Sequence, residues 1–172
     1  MGFKPWQEDQ TLAMSRIETG TAISAPIERV FDLARSIDVH KQSQSAHRES
    51  AIAGRMSGLI ENGEIVTWEA AHFGVRQRLT SQIVAMSRPT HFRDSMVSGA
   101  FKRIDHDPFF EPQPGGSTRM KDIFDYSAPL GPLGRLADWL FLETYLRRLL
   151  EARNQVVKRI AEEGQKFSSR SL

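Results

Sequence analysis

Two aspartates interrupt rows that are otherwise apolar. In HFRDSMVS the alternate positions read Phe92, Asp94, Met96, and in STRMKDIFDYS they read Met120, Asp122, Phe124, Tyr126. A carboxylate on the core face of a strand has two uses. Burial raises its pKa and can suit it to general acid or base work on a bound molecule. It can also neutralise a buried cation, because an isolated buried charge costs several kcal/mol. Asp94 and Asp122 are therefore candidate catalytic groups, together with His72 at the end of a third row, Val66, Trp68, Ala70, His72. Against the catalytic reading stands Arg153, the single charge on the apolar stripe of the last helix. Pairing of one or both aspartates with Arg153 is the preferred reading, since structural ion-pair networks perturb carboxylates too.

His72 and His106 could act as acid and base or hold a metal. Neither lies at a ligand spacing and HExxH is absent, so a hydrogen-bonded core or rim histidine is the simpler expectation and no metal is expected. Tyr126 and Trp68 could orient a polar ligand through O–H and N–H, or serve as core aromatics. QPGGS is a turn and no phosphate-cradling glycine loop, GRMSG does not fit a nucleophile elbow, and no cofactor is expected. The chain has no cysteine, which excludes disulfides and thiolate chemistry. Lys and Arg number 23 against 21 Asp and Glu, interleaved along the chain, which gives no nucleic-acid footprint. No apolar run approaches the ~20 residues of a membrane span. The opening MGFKPWQEDQ lacks a charged-then-apolar signal layout, so a cytoplasmic location is expected.

These residues need elements to position them. Residues 11–24 alternate like a first strand. Pro26 follows as a first helical residue, and Ile27, Val30, Phe31, Ala34 and Ile37 continue at helical spacing. DVHKQS suggests a second short helix. From 50 to 128 the period is two, with turns between about six successive strands; Asn62-Gly63 is the strongest hairpin signal. Pro129, Gly131, Pro132 and Gly134 then lead into a helix over 132–164. Its stripe is Trp139, Leu142, Leu146, Leu149, Arg153, Val156 and Ile160. One domain over 11–164 is expected, with flexible tails at 1–10 and 165–172.

The stretches AISAPIERVFDLA, FKRIDHDPFFEP and TRMKDIFDYSAPLGPLG, leading to LRRLLEARNQVV, are similar to the START-like (SRPBCC) superfamily. The likeness is strongest to its bacterial polyketide cyclase/dehydrase-like ligand-binding branch. Where that branch often has His-Glu-His-Phe, this chain has His106, Asp107, Pro108, Phe109. The resemblance implies an α+β helix-grip fold. A curved antiparallel sheet of six to seven strands wraps around a long C-terminal helix, with one or two short helices after the first strand and a cavity between sheet and helix. The cavity face would carry Trp68 and His72, then Phe92, Asp94 and Met96, then Met120, Asp122, Phe124 and Tyr126. Trp139, Leu142, Leu146 and Arg153 would face it from the helix.

Such a lining suits a small hydrophobic molecule, for example a lipid, quinone or polyketide-like compound, with access near 129–134. Two alternatives stay open. One is a cyclase or dehydratase in which Asp94 or Asp122 moves protons with His72 or Tyr126. The other is a protein-interaction module, with a homodimer through the apolar segment 136–141.

Overall fold

In the first strand, β1 (Ser15–Ile23), Ile17 and Ile23 are buried while Arg16, Glu18 and Ala22 face out, so the alternation sets its orientation. The computed structural model describes residues 14–72, 74–127 and 141–168. Pro26 stands one place before the helix it was expected to begin. Its extended backbone (ψ 148°) turns the chain, and its carbonyl accepts from the Val30 N–H at 3.1 Å. The helix α1 (Ile27–Ala34) buries Val30, Phe31 and Ala34. Ser36 is extended and caps α2 (Ile37–Ser43) by accepting from the Val39 N–H, which separates the two helices.

Six strands follow: β2 (Ser50–Gly54), β3 (Ile65–His72), β4 (Val75–Ser87), β5 (His91–Ser98), β6 (Arg103–Gln113) and β7 (Ser117–Ser127). Each pairs antiparallel with the next, and β1 returns beside β7, giving the order β1-β7-β6-β5-β4-β3-β2. The Asn62-Gly63 signal makes a turn, with the Glu64 N–H donating to the Glu61 carbonyl and Gly63 at φ +82°. It does not make a two-residue hairpin. Residues 55–64 join β2 to β3 because Ile60 is drawn into the core, while Leu59 bridges to Ser36 and the Ile37 N–H donates to Gly58.

The C-terminal helix α3 (Glu143–Ser168) packs on β1, α1 and α2. It passes Gly164, the expected stop. There the missing side chain makes room for the Arg29 guanidinium, which donates to the Ala161 and Ile160 carbonyls. The buried stripe is centred on Leu150, Arg153, Asn154, Val157 and Ala161. It is rotated from the expected one because small and polar residues, invisible to hydrophobic periodicity, sit at the closest approach. Trp139 and the segments 129–134 and 136–140 lie outside the described residues.

Two apolar clusters result. One joins Phe31, Phe92, Phe110, Met120, Val157 and Ala161, with the Phe31 and Phe110 rings edge to face at 5.4 Å. The other joins Ile17, Ile104, Tyr126 and Leu150. Between them four elements each contribute a polar residue: Thr19 on β1, His106 on β6, Asp122 on β7 and Asn154 on α3. The sheet, two short helices and long helix form the α+β helix-grip arrangement.

Candidate functional site

A cavity of about 500 Å³ lies between the sheet and α3. Because a strand sends alternate side chains to one face, β3, β4 and β5 each place a row of three alternate residues on its wall, and β4 adds Gln77 and Arg78 at its start. The rows are Val66, Trp68 and Ala70; Leu79, Ser81 and Ile83; and Phe92, Asp94 and Met96. β6 adds Ile104 and His106, and β7 adds Phe124. Leu142, Leu146, Leu149 and Arg153 face it from the α3 side. Of the site expected from sequence, Trp68, Phe92, Asp94, Met96, Phe124, Leu142, Leu146 and Arg153 are thus brought together.

Met120, Asp122 and Tyr126 share the inward row with Phe124 but do not line the cavity. They are fully buried under α3, Met120 in the cluster with Val157, Tyr126 in the cluster with Leu150. His72 ends β3 opposite Val75, and its side chain lies outside the described residues. Trp139 is outside them as well.

Sequence reasoning missed the contribution of the short helices. Arg35, Ile37, His40 and Gln44 also line the cavity. The signal was the spacing Ile37, His40, Gln44, which is one face of a helix. The His40 and Trp68 rings lie 4.3 Å apart between centroids, and His40 Nε2 is 3.0 Å from Glu49 Oε1. Arg35 spans from wall to surface, donating to Asp32, Glu61 and the Ile60 carbonyl.

The two aspartates have opposite surroundings. Asp122 is held from four directions: His106 Nε2 at 2.8 Å, Asn154 Nδ2 at 2.6 Å, Thr19 Oγ1 at 3.3 Å and Arg153 Nη1 at 3.6 Å. Burial alone would raise its carboxyl, but the hydrogen bond and charge of His106, the charge of Arg153 and the Asn154 amide outweigh it. The carboxyl is held below its ordinary value and stays ionised. Arg153 also donates to the Ala34 carbonyl at 2.6 Å, tying α3 to the end of α1. Asp122 is the structural partner of Arg153.

Asp94 makes no ion pair among the described residues, and its buried Oδ1 finds no hydrogen-bond partner among them. Burial pushes its carboxyl up. The Ser81 hydroxyl and the charges of His106, His40 and Arg153 oppose that rise without cancelling it. The neutral form is thereby favoured, in a wall that is mainly apolar. Among the described residues no group of three or more histidine or carboxylate side chains could hold a metal ion. No helix among them is long and apolar enough to cross a membrane.

No protein-family model matches the chain, and no curated protein matches it by sequence. Solved structures do match. A START superfamily protein from Mycobacterium smegmatis superposes with a TM-score of 0.66 at 11% identity, covering 86% of this chain and 97% of that one. The Thermus thermophilus protein TTHA0849 gives 0.65 at 21% identity, covering 83% of this chain and 97% of its own. The ginseng (Panax ginseng) major latex-like protein 151 gives 0.64 at 15% identity, over 86% of this chain and 97% of that one. The chain therefore has the START-like helix-grip fold.

Proposed function

We propose that this protein binds a small, largely apolar molecule between the sheet and α3, and so carries or sequesters it in the cytoplasm. The observation that supports this is the cavity of about 500 Å³, lined mainly by aliphatic and aromatic side chains. Its size falls in the roughly 300–1,000 Å³ range of small-molecule pockets. START-like proteins are in general ligand-binding proteins, which agrees with this reading. Affinity would come from burying ligand surface at about 25 cal/mol per Å², with one or two polar groups orienting the molecule. Lipids, quinones and polyketide-like aromatics all meet that description.

The test is native mass spectrometry of freshly purified protein, solvent extraction of any passenger, and titration with 2-hexylnaphthalene as a plain apolar probe. A passenger of definite mass, or saturable one-to-one uptake of the probe, supports the reading. A bare mass with no saturable uptake overturns it.

A second reading is a cyclase or dehydratase, favoured by the placement of Asp94 and His106 opposite one another on adjacent strands, both on the cavity wall. In that case Asp94 would be the general acid for a bound poly-carbonyl chain, with His106, held by Asp122, as the polar neighbour that orients the chain. Turnover of such a chain that disappears in Asp94→Asn while the chain still binds would establish it. Binding with no turnover in the wild type would remove it.

A further inference from the structure

Among the described residues, the charged side chains of the cavity wall are paired except at one point. Arg35 is neutralised by Asp32 and Glu61 at 2.7 and 2.8 Å, Arg153 by Asp122 at 3.6 Å, and His40 faces Glu49 at 3.0 Å. Asp94 has no such partner, and its Oδ1 is buried without a hydrogen bond among the described residues. A polar atom buried in this way costs free energy that a partner restores. The described residues do not supply one: β4 offers Ser81, and His106, the register partner of Asp94 on β6, has its Nε2 on Asp122. Around Asp94 the wall is apolar, with Phe92 and Met96 on the same strand and Leu79 and Ile83 on the next.

We infer that Asp94 is the polar anchor of the cavity, donating a hydrogen bond from its carboxylic acid to a carbonyl oxygen of an otherwise apolar, uncharged ligand. This rests on the binding reading above and specifies its ligand class. Two neighbouring features select the neutral acceptor over its alternatives. A cationic ligand would need Asp94 ionised in a site that favours its neutral form, and would share the cavity with the guanidiniums of Arg35 and Arg153. A carboxylate ligand would bring a second acid against the first, and only one proton would then be shared between two like groups. A ketone, ester or quinone carbonyl accepts the one hydrogen that Asp94 has to give, and its apolar body covers the aromatic and aliphatic wall.

The experiment compares three molecules of one skeleton: 2-hexylnaphthalene, 2-hexanoylnaphthalene and 1-(2-naphthyl)hexylamine. Dissociation constants are measured by quenching of tryptophan emission for the wild type, Asp94→Leu and Asp94→Asn. The quantity read is the affinity of the ketone relative to the hydrocarbon, which removes the difference in hydrophobicity. It is expected to fall about tenfold in Asp94→Leu, the worth of one net hydrogen bond. Asp94→Asn, which retains an N–H donor of similar shape, keeps most of it. Hydrocarbon binding tightens in Asp94→Leu, since no polar group then needs a partner.

An unchanged ratio in both variants overturns the anchor while leaving the binding reading in place. Tightest binding of the amine by the wild type also overturns it, in favour of a counter-charge site. Failure of the wild type to take up either the hydrocarbon or the ketone overturns the anchor and the binding reading together.

Discussion

His106 stands directly opposite Asp94 in the ladder between β5 and β6, yet its Nε2 turns to Asp122 on the other side, at 2.8 Å. That choice divides the two aspartates. Phe124 on β7 is the register partner of His106, which makes Asp122 its diagonal neighbour on the same face. α3 then sets the Asn154 amide at 2.6 Å and the Arg153 guanidinium at 3.6 Å from Asp122. One carboxyl becomes the centre of a buried polar network, and the other is left facing a cavity.

The first consequence is for stability. Asp122→Ala strips the partner from a buried guanidinium and leaves His106 and Asn154 unsatisfied, so it should cost about 3–5 kcal/mol. Asp94→Leu removes a buried polar atom that has no partner among the described residues. It should leave stability within about 1 kcal/mol of wild type, on the stabilised side. Urea denaturation of both variants checks the contrast, and equal losses would contradict it.

The same division gives opposite pH dependences. Asp94 is raised in the folded state, chiefly by burial, against the opposing influence of Ser81 on β4, His106 on β6, His40 on α2 and Arg153 on α3. Its contribution is fully present below the unfolded carboxyl value, about 3.9, and is lost as pH rises through the folded value. Asp94→Asn should therefore gain on the wild type as pH climbs above about 4. Asp122 is lowered, so its contribution is present above the unfolded value and is lost as pH falls through the folded one. The deficit of Asp122→Asn should shrink below about pH 4. Denaturant titrations between acid and neutral pH would show both trends, and parallel profiles would refute them.

Filling the cavity should separate binding from folding. Ala70 sits on the wall beside Trp68 on β3. Ala70→Phe places a ring in open space, and should weaken uptake of 2-hexylnaphthalene at least about tenfold with an unchanged or higher melting temperature. Calorimetry and probe titration together make the check. Undiminished uptake would move the ligand elsewhere.

The outer face of the sheet supplies the control. Asp107 on β6 is buried there between His91 Nε2 at 2.7 Å and Arg93 Nη2 at 2.8 Å. Although burial pushes its carboxyl up, the hydrogen bonds of Arg93 and His91 hold it below the ordinary value. Asp107→Asn should lower stability by about 1–3 kcal/mol and leave probe affinity as it was. A change in affinity would mean that the two faces of the sheet are coupled.

Much of this organisation can be read along the chain. Period two between 50 and 127 marks the six successive strands, and the rows through Trp68, Asp94 and Phe124 carry their inward faces. That legibility has a simple origin: a strand exposes alternate residues to one side whatever it packs against. What covers that side is a matter of contacts between distant segments. Phe124 lines the cavity and Met120 in the same row does not, because Val157 and Ala161 of α3 lie over that end of β7. The short helices could be recognised locally, and the spacing Ile37, His40, Gln44 marks one face, but only the tertiary structure shows that this face and Arg35 reach the cavity. Asn154 gave no periodic signal, since a polar residue on a helix ordinarily faces water, and here it caps a carboxylate in the core. Two aspartates in similar apolar rows are equivalent until the helix settles over one of them and leaves the other open.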